Sequence, residues 1–408
     1  MLMALDTGIN GGKWYNLIDK LYRPSVLLEA FAQVKANGGA AGVDHVTVAH
    51  FEAQLDANLN GLHEALRSGS YRPQRIRRHY IPKPGSSEKR PLGIPTVRDR
   101  VVQTALRMAI EPVFEKEFAP HSYGFRPKKG CKAALARVDE LLKAGYVHIV
   151  DADLKSYFDT IPQTRLMALV ANRICDSAVL RLVGSFLEQE VLDGLEAWVP
   201  EAGTPQGAVI SPLLSNIYLD PLDHLMAQRG FEMVRYADDF VVMCQNPEDA
   251  AAALDVVREW VAQAGLALHR DKTRLVDERV EGFEFLGYRF IRHRRWPRQK
   301  SMAKFRDAIR AKTMRTAGVS LKAVIAGVNK VARGWFEYFK HSHKTTFPEA
   351  DGFIRRRLRS KLRKQTGRKG GSKACGADHT RWPNAYFDRC GLFNLTTARQ
   401  LACQPLNR

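Results

Sequence analysis

The chain has 408 residues, 45% of them hydrophobic, enough to bury a large core in two or three domains. Its formal net charge is +20, and no run of about 18 apolar residues occurs, which argues against a helical membrane protein and for a polyanionic partner. The charge is uneven: Arg289 to Lys369 carries 25 Lys+Arg against 4 Asp+Glu, a net of +21, so the remainder sums to about −1 and reads as a near-neutral body joined to a polyanion-binding module.

Met1 to Gly12 lacks an apolar stretch of signal-peptide length, so a soluble, intracellular protein is expected. Leu27, Leu28, Phe31 and Val34 fit one helix face, ended by Gly38-Gly39, and Phe51, Leu55, Leu59 and Leu62 fit a second. Tyr71 to Pro95 alternates basic, apolar and Pro/Gly residues like a hairpin, with Lys83 and Arg90 flanking the loop Pro84-Gly85-Ser86-Ser87. Val97 to Phe118 has a strong amphipathic helix pattern. Tyr146 to Val150 reads as a buried strand that delivers Asp151, Asp153 and Asp159, and helices are expected near 162–190, 212–228 and 247–264. Arg292 to Arg298 marks a boundary.

Three helices follow that boundary. Met302, Phe305 and Ile309 line the first, Ser320 is the N-cap of the second, and Pro348 suits the first turn of the third. The third runs into a nearly continuous basic stretch from Arg355 to Lys364, and a bundle gains nothing from so many like charges, so that face reads as nucleic-acid-binding. The aromatic stripe Trp335, Phe336 and Phe339 reads as bundle core. Gly367 to Ser372 reads as a flexible joint before a separable tail. Of six cysteines none forms a C-x-x-C pair, and the spacing of Cys375, His379, Cys390 and Cys403 fits no zinc pattern, so reduced thiols are expected.

The chemistry centres on Tyr236-Ala237-Asp238-Asp239, enclosed by the β-prone runs Glu232 to Arg235 and Phe240 to Cys244. That pattern is a hairpin with two adjacent carboxylates at its tip. Such a pair gains nothing structurally, whereas a hard divalent cation relieves its repulsion. Asp153, leaving its own strand, would complete a set of three carboxylates able to hold two cations about 3.5–4 Å apart, the arrangement used for in-line displacement at phosphorus. Asp151 and Asp159 compete for that place, and because Asp151 shares a face with Asp153, alternation does not choose between them.

Read together, Arg90 to Pro95, Ser122 to Pro127, Asp153 to Asp159, Gly203 to Gly207, Ser211 to Asn216, the Tyr-Ala-Asp-Asp hairpin, Asp271 to Thr273 and Phe285 to Tyr288 resemble the reverse transcriptases encoded by bacterial group II introns, in the family's order over residues 40–290. Ala208 departs from the pattern, standing where the family often has a second glycine. The resemblance implies that Asp153, Asp238 and Asp239, with the Leu154 carbonyl, hold two Mg²⁺ ions, or Mn²⁺ in their place, and that Lys272 protonates the leaving pyrophosphate. It implies triphosphate contacts from Lys83 and Arg90, a steric gate against the 2′-hydroxyl at Phe158, and a sugar contact from Gln206. It gives a primer grip at Phe285, Leu286, Gly287 and Tyr288, and template or RNA contacts from Tyr123, Arg126, Arg333, Arg355, Arg356, Arg357 and Arg359.

The implied fold is α+β, a right-hand polymerase with an antiparallel-sheet palm and a basic three-helix thumb or maturase domain. The expected divisions are 1–70, an N-terminal extension and the start of the fingers; 71–290, fingers and palm; 291–370, thumb; and 371–408, a short basic tail resembling a remnant of the family's DNA-binding extension, with nothing left for an endonuclease domain. The implied function is RNA-directed DNA synthesis for a group II intron, with help in its splicing and mobility. The expected partners are intron RNA template, a DNA primer or target and deoxynucleoside triphosphates, with no membrane, in a bacterial cytoplasmic ribonucleoprotein. Two competing readings keep part of this: a domesticated reverse transcriptase in repair or phage defence, and an RNA-binding splicing factor that does not polymerise.

Overall fold

The computed structural model describes residues 13–82, 89–367 and 374–402, and the chain divides into two compact units, Met1–Asp277 and Glu278–Arg408. The expectation at Lys83 therefore falls outside the described residues, as do those at Cys403 and at the side chain of Cys375.

The first unit opens with helices α1 (Ile18–Leu21), α2 (Pro24–Asn37), α3 (Val48–Ala53) and α4 (Leu55–Arg67). Leu27, Phe31 and Val34 are buried as the spacing predicts, but Leu28 is 51% exposed. The hairpin β1 (Ile76–Pro82) and β2 (Lys89–Ile94) leads to α5 (Val97–Glu115), whose first turn is capped by the Thr96 hydroxyl accepting from the Asp99 amide. Then come α6 (Cys131–Lys143), β3 (His148–Asp153), α7 (Tyr157–Thr160), α8 (Gln163–Ala171), α9 (Ser177–Leu187), the short strands β4 (Val191–Asp193) and β5 (Glu196–Trp198), and α10 (Ser211–Gln228). The unit closes with β6 (Glu232–Tyr236), β7 (Asp239–Cys244), α11 (Pro247–Gln263) and β8 (Arg274–Asp277).

The central sheet is antiparallel throughout, in the order β6-β7-β3-β8. Apolar residues of β3 and β7 are buried, with Ile149, Val150, Phe240, Val241, Val242 and Met243 all at 0% exposure, as strands covered on both faces require. A second sheet, β2-β1-β4-β5, extends the hairpin by a parallel β1–β4 pairing that the sequence pattern does not reveal, because β4 and β5 are three residues each.

The second unit begins with a three-stranded meander, β9 (Phe283–Phe285), β10 (Tyr288–Ile291) and β11 (Arg294–Pro297), followed by α12 (Gln299–Lys312), α13 (Leu321–Phe339) and α14 (Thr346–Gln365). The Ser320 hydroxyl accepts from the Ala323 amide, the expected cap. Three further helices, α15 (Ala374–Arg381), α16 (Asn384–Arg389) and α17 (Leu395–Ala402), complete it. Phe305, Phe336, Phe347, Ile354 and Leu358 form its core.

By compactness the chain divides after Asp277, so the Phe285–Tyr288 hairpin packs with the second unit. One expectation is corrected here. The expected joint, apart from Gly367, lies outside the described residues, but residues 374–402 are not a separable tail: Trp382, Phe387, Leu392 and Leu395 enter the same hydrophobic core as α13 and α14. Asp351, in α14, caps α17 by accepting from the Leu395 and Thr396 amides, each at 3.0 Å, and from the Thr396 hydroxyl at 2.7 Å. Few apolar residues were needed for this, which is why composition alone suggested an appendage. Among the described residues, no helix is long and apolar enough to cross a membrane.

Candidate active site

Strand pairing brings the distant carboxylates together. Tyr236 pairs with Asp239, leaving Ala237-Asp238 as a two-residue turn, and Asp153 pairs directly with Asp239. Ala237 has a φ of 59°, so the turn holds an L-residue in the left-handed region, at a cost of about 1–3 kcal/mol. Asp151 lies two pairs back, opposite Val241, and its carboxylate meets Arg274 Nε at 3.3 Å. Geometry thus separates two aspartates that alternation left equivalent.

The Asp153 carboxylate is ion-paired to Lys272, which reaches it from the loop before β8. The Asp153 carbonyl accepts from the His269 amide at 2.7 Å, and Lys155 donates to Ala267 across the bridge between Leu154 and Leu268. Both of those bonds run to the residue 267–269 side, so the Leu154 carbonyl points to the opposite edge, where β7 lies. Burial pushes the Asp238 carboxyl above the usual carboxylate range and the Asp153 charge adds to this, while Arg90 and Arg235 pull it back. Arg90, in β2, is therefore within electrostatic reach of the turn.

Among the described residues, no three His, Cys, Asp or Glu side chains are gathered closely enough to grip one ion as they stand. The donor set nonetheless suits a hard cation. Asp153, Asp238, Asp239 and the Leu154 carbonyl are oxygen donors at one sheet end, and burial, with the Asp153 charge beside it, raises the Asp238 carboxyl.

Beside this sheet end lies a cavity of about 220 Å³ lined by Arg78, Gly93, Phe158, Asp159, Trp198 and Gln206, among others. Phe158 sits half-buried in α7, and its carbonyl accepts from the Thr204 amide at 2.7 Å. The Gln206 side-chain amide donates to Asp159 at 3.3 Å and the Gln206 carbonyl accepts from the Gly93 amide at 2.6 Å. The two residues expected at the nucleotide sugar thus line one cavity.

The Tyr123–Arg126 segment corrects an expectation. Arg126 is turned inward: its guanidinium donates to Glu115 at 2.9–3.1 Å and to the Ala119 and Ser122 carbonyls at 2.6 and 2.9 Å, and its side chain is 4% exposed. Tyr123 is also buried, its amide donating to the Arg235 carbonyl at 2.8 Å. These residues fix the loop against β6, while Phe125, at 46% exposure, is the side chain the loop presents.

In the second unit, Tyr288 pairs with Phe285, and Leu286 and Gly287 both take positive φ, 47° and 82°, a tight hairpin turn. Phe285 and Tyr288 are core residues at 1% exposure. The turn itself is pinned: the Tyr338 hydroxyl donates to the Leu286 carbonyl at 2.7 Å and the Ser301 hydroxyl to that of Gly287 at 3.0 Å. Of the four residues, Leu286 and Gly287 form the turn, and Phe285 and Tyr288 are packed beneath it.

The basic run of α14 is partly structural. Arg359 is 4% exposed and donates to the Trp382 carbonyl at 2.9 Å and the Asn384 side chain at 2.8 Å. Lys361, at 1% exposure, donates to the Met314 and Ala317 carbonyls, and Arg357 holds Thr313. A bundle does gain from these charges, because they satisfy loop carbonyls that would otherwise be buried unpaired. Arg355, Arg356 and Arg333 stay at least partly exposed. Sequence reasoning also missed Arg235, which is fully buried; its only sequence signal is a charged residue directly after the apolar pair Met233-Val234 in a strand.

Two family models match. Residues 81–290 match "Reverse transcriptase (RNA-dependent DNA polymerase)" and residues 302–377 match "Group II intron, maturase-specific domain". Protein YkfC of Escherichia coli K12 is 35% identical over 320 residues, covering 68% of this chain and 83% of YkfC. The group II intron-encoded protein LtrA of Lactococcus lactis is 35% identical over 210 residues, 51% of this chain but 34% of LtrA, so the chain spans about a third of that relative. A solved partial Cas6-RT-Cas1–Cas2 complex is similar at 21% identity and a TM-score of 0.39, covering 60% of this chain and 41% of that one. Reverse transcriptases use divalent metal ions, and the two matched domains bind intron RNA and nucleic-acid substrates. With both models matched in order and the α+β, antiparallel palm in place, the chain belongs to the reverse transcriptases, RNA-dependent DNA polymerases, of the group II intron class that carry a maturase-specific domain.

Proposed function

We propose that this chain extends a DNA 3′ end with deoxynucleoside triphosphates on intron RNA, using Asp153, Asp238 and Asp239 as the metal-holding carboxylates. The observation that carries this reading is the strand register that sets Asp153 opposite Asp239, with Asp238 in the adjoining turn. Bound Mg²⁺, or Mn²⁺ in its place, supplies acidity to the primer 3′-hydroxyl and neutralises the triphosphate. The three carboxylates and the Leu154 carbonyl hold and orient that charge. Arg90, together with Lys83, binds the triphosphate oxygens by charge-assisted hydrogen bonds. The 3′ oxygen attacks the α-phosphorus in line, pyrophosphate leaves, and Lys272 exchanges Asp153 for the leaving group and gives it a proton. Phe158 presses against the sugar and excludes a 2′-hydroxyl, while Gln206, lining the same cavity, fixes the sugar.

The second unit holds intron RNA through Arg333, Arg355 and Arg356, and Leu286 and Gly287 meet the primer end. The complex works in the bacterial cytoplasm as a ribonucleoprotein. Primer extension on an RNA template tests the reading. Asp239→Asn and Asp153→Asn should lose DNA synthesis while keeping RNA affinity and protein-assisted splicing; extension at the parent rate by either variant defeats the metal assignment.

A further inference from the structure

Arg235 is the largest fully buried side chain among the described residues. Its Nε donates to both Asp223 oxygens, at 2.8 and 3.0 Å, and its Nη2 completes the ion pair. The remaining nitrogen, Nη1, makes two bonds at 3.0 Å, one to the Asn216 side-chain oxygen and one to the carbonyl of Ala237. That carbonyl belongs to the strained residue of the turn that carries Asp238. The other half of Asn216 donates to the Gly124 carbonyl at 2.8 Å, and Gly124 is the residue packed against the Ala237 backbone. One fork thus ties helix α10, the Gly124 loop and the turn to a single point.

A buried arginine–aspartate pair is a poor way to gain stability, since desolvation offsets most of the attraction. It is a good way to fix a geometry, because the guanidinium is planar and its donors cannot move independently. The acceptor it reaches is also telling: a left-handed alanine persists only where its surroundings over-determine it.

We infer that Arg235, anchored by Asp223 and Asn216, is a positioning residue that holds the Ala237-Asp238 turn in the conformation that presents Asp238 and Asp239 to the reacting groups. This deepens, and rests on, the assignment of those two aspartates to catalysis. Arg235 touches no substrate; it acts through the Ala237 carbonyl.

Arg235→Lys tests this. Lysine keeps the charge opposite Asp223 but offers one ammonium where the fork serves three acceptors. Four quantities are measured on the full chain: the single-nucleotide extension rate at saturating deoxynucleotide, primer–template affinity, melting temperature, and Mn²⁺ binding to the protein–primer–template complex by electron paramagnetic resonance. The rate should fall about 10- to 100-fold, as misplacement of reacting groups by about 1 Å does. Mn²⁺ binding should weaken several-fold, with primer–template affinity unchanged. A folded Arg235→Lys with the parent's rate and Mn²⁺ affinity overturns the inference, as does a rate that falls only in proportion to lost folded protein. If Arg235→Lys does not fold, Asn216→Ala carries the same test, because it keeps the ion pair and removes one anchor of the fork. Weaker Mn²⁺ binding at an unchanged melting temperature then supports the inference, and unchanged binding overturns it. An inactive parent, or an Asp239→Asn variant that extends normally, defeats the underlying assignment instead.

Discussion

Gly124 lies so close to Ala237 that a Cβ at position 124 would stand 2.2 Å from the Ala237 nitrogen and 2.8 Å from the Tyr236 carbonyl carbon. Both are backbone atoms and neither can swing aside. Gly124→Ala should therefore push the Asp-Asp turn out of place, at a cost of about 1–3 kcal/mol in stability and about tenfold or more in extension rate. A circular-dichroism melt and a primer-extension time course measure the two effects separately.

Asp238 gives a pH-dependent prediction of opposite sign for stability and activity. Burial lifts its folded-state pKa above the unfolded value, so between those two values the folded chain holds the proton more often than the unfolded one. Stability then falls as pH rises through that window, and at neutral pH the ionised group burdens the metal-free fold. Asp238→Asn should melt above the parent in chelator at neutral pH, with the gap closing as pH falls toward the ordinary carboxylate range. The same variant should be inactive in extension. Paired melting curves across pH check the sign.

Phe158 lines its cavity with Gln206 and packs edge-on against Tyr157, ring centroids 5.4 Å apart. Phe158→Ala should leave that neighbour in place and remove only the bulk that meets a 2′-hydroxyl. The ratio of ribo- to deoxynucleotide incorporation should rise by about tenfold or more. An unchanged ratio returns Phe158 to a packing role.

The C-terminal helices should prove indispensable to the second unit. Deleting residues 371–408 removes Phe387 and Leu395, both at 0% exposure, and strips the partners from Asp351 and Arg359. That truncation should aggregate or unfold the unit. The milder Phe387→Ala should cost about 3–5 kcal/mol, read by chemical denaturation.

Exposed and buried arginines of α14 should separate in a salt titration. Neutralising Arg355 and Arg356 should flatten the log–log dependence of RNA affinity on salt by about one unit per lost phosphate contact. Arg359→Gln should lower the melting temperature and leave the slope unchanged, since its guanidinium is committed to Trp382 and Asn384.

Local pattern alone determined a good deal of this protein. Short continuous apolar runs marked β3 and β7, and two carboxylates between such runs marked the turn, because strands and tight turns are written in adjacent residues. The Ser320 cap and the aromatic stripe of α13 were legible for the same reason. The motifs from Arg90 to Tyr288 gave the family. The family resemblance, not alternation, chose Asp153 over Asp151; the tertiary structure added which residue of β7 lies opposite each, Asp239 for Asp153 and Val241 for Asp151, a register set by long-range pairing. It also decided which cations face water. Arg126, Arg357, Arg359 and Lys361 look like binding residues in a one-dimensional charge count, yet each is spent on a carbonyl, hydroxyl or carboxylate of its own unit. A charge in a sequence carries no record of its partner, and a buried cation is tolerated only where the fold brings one to it.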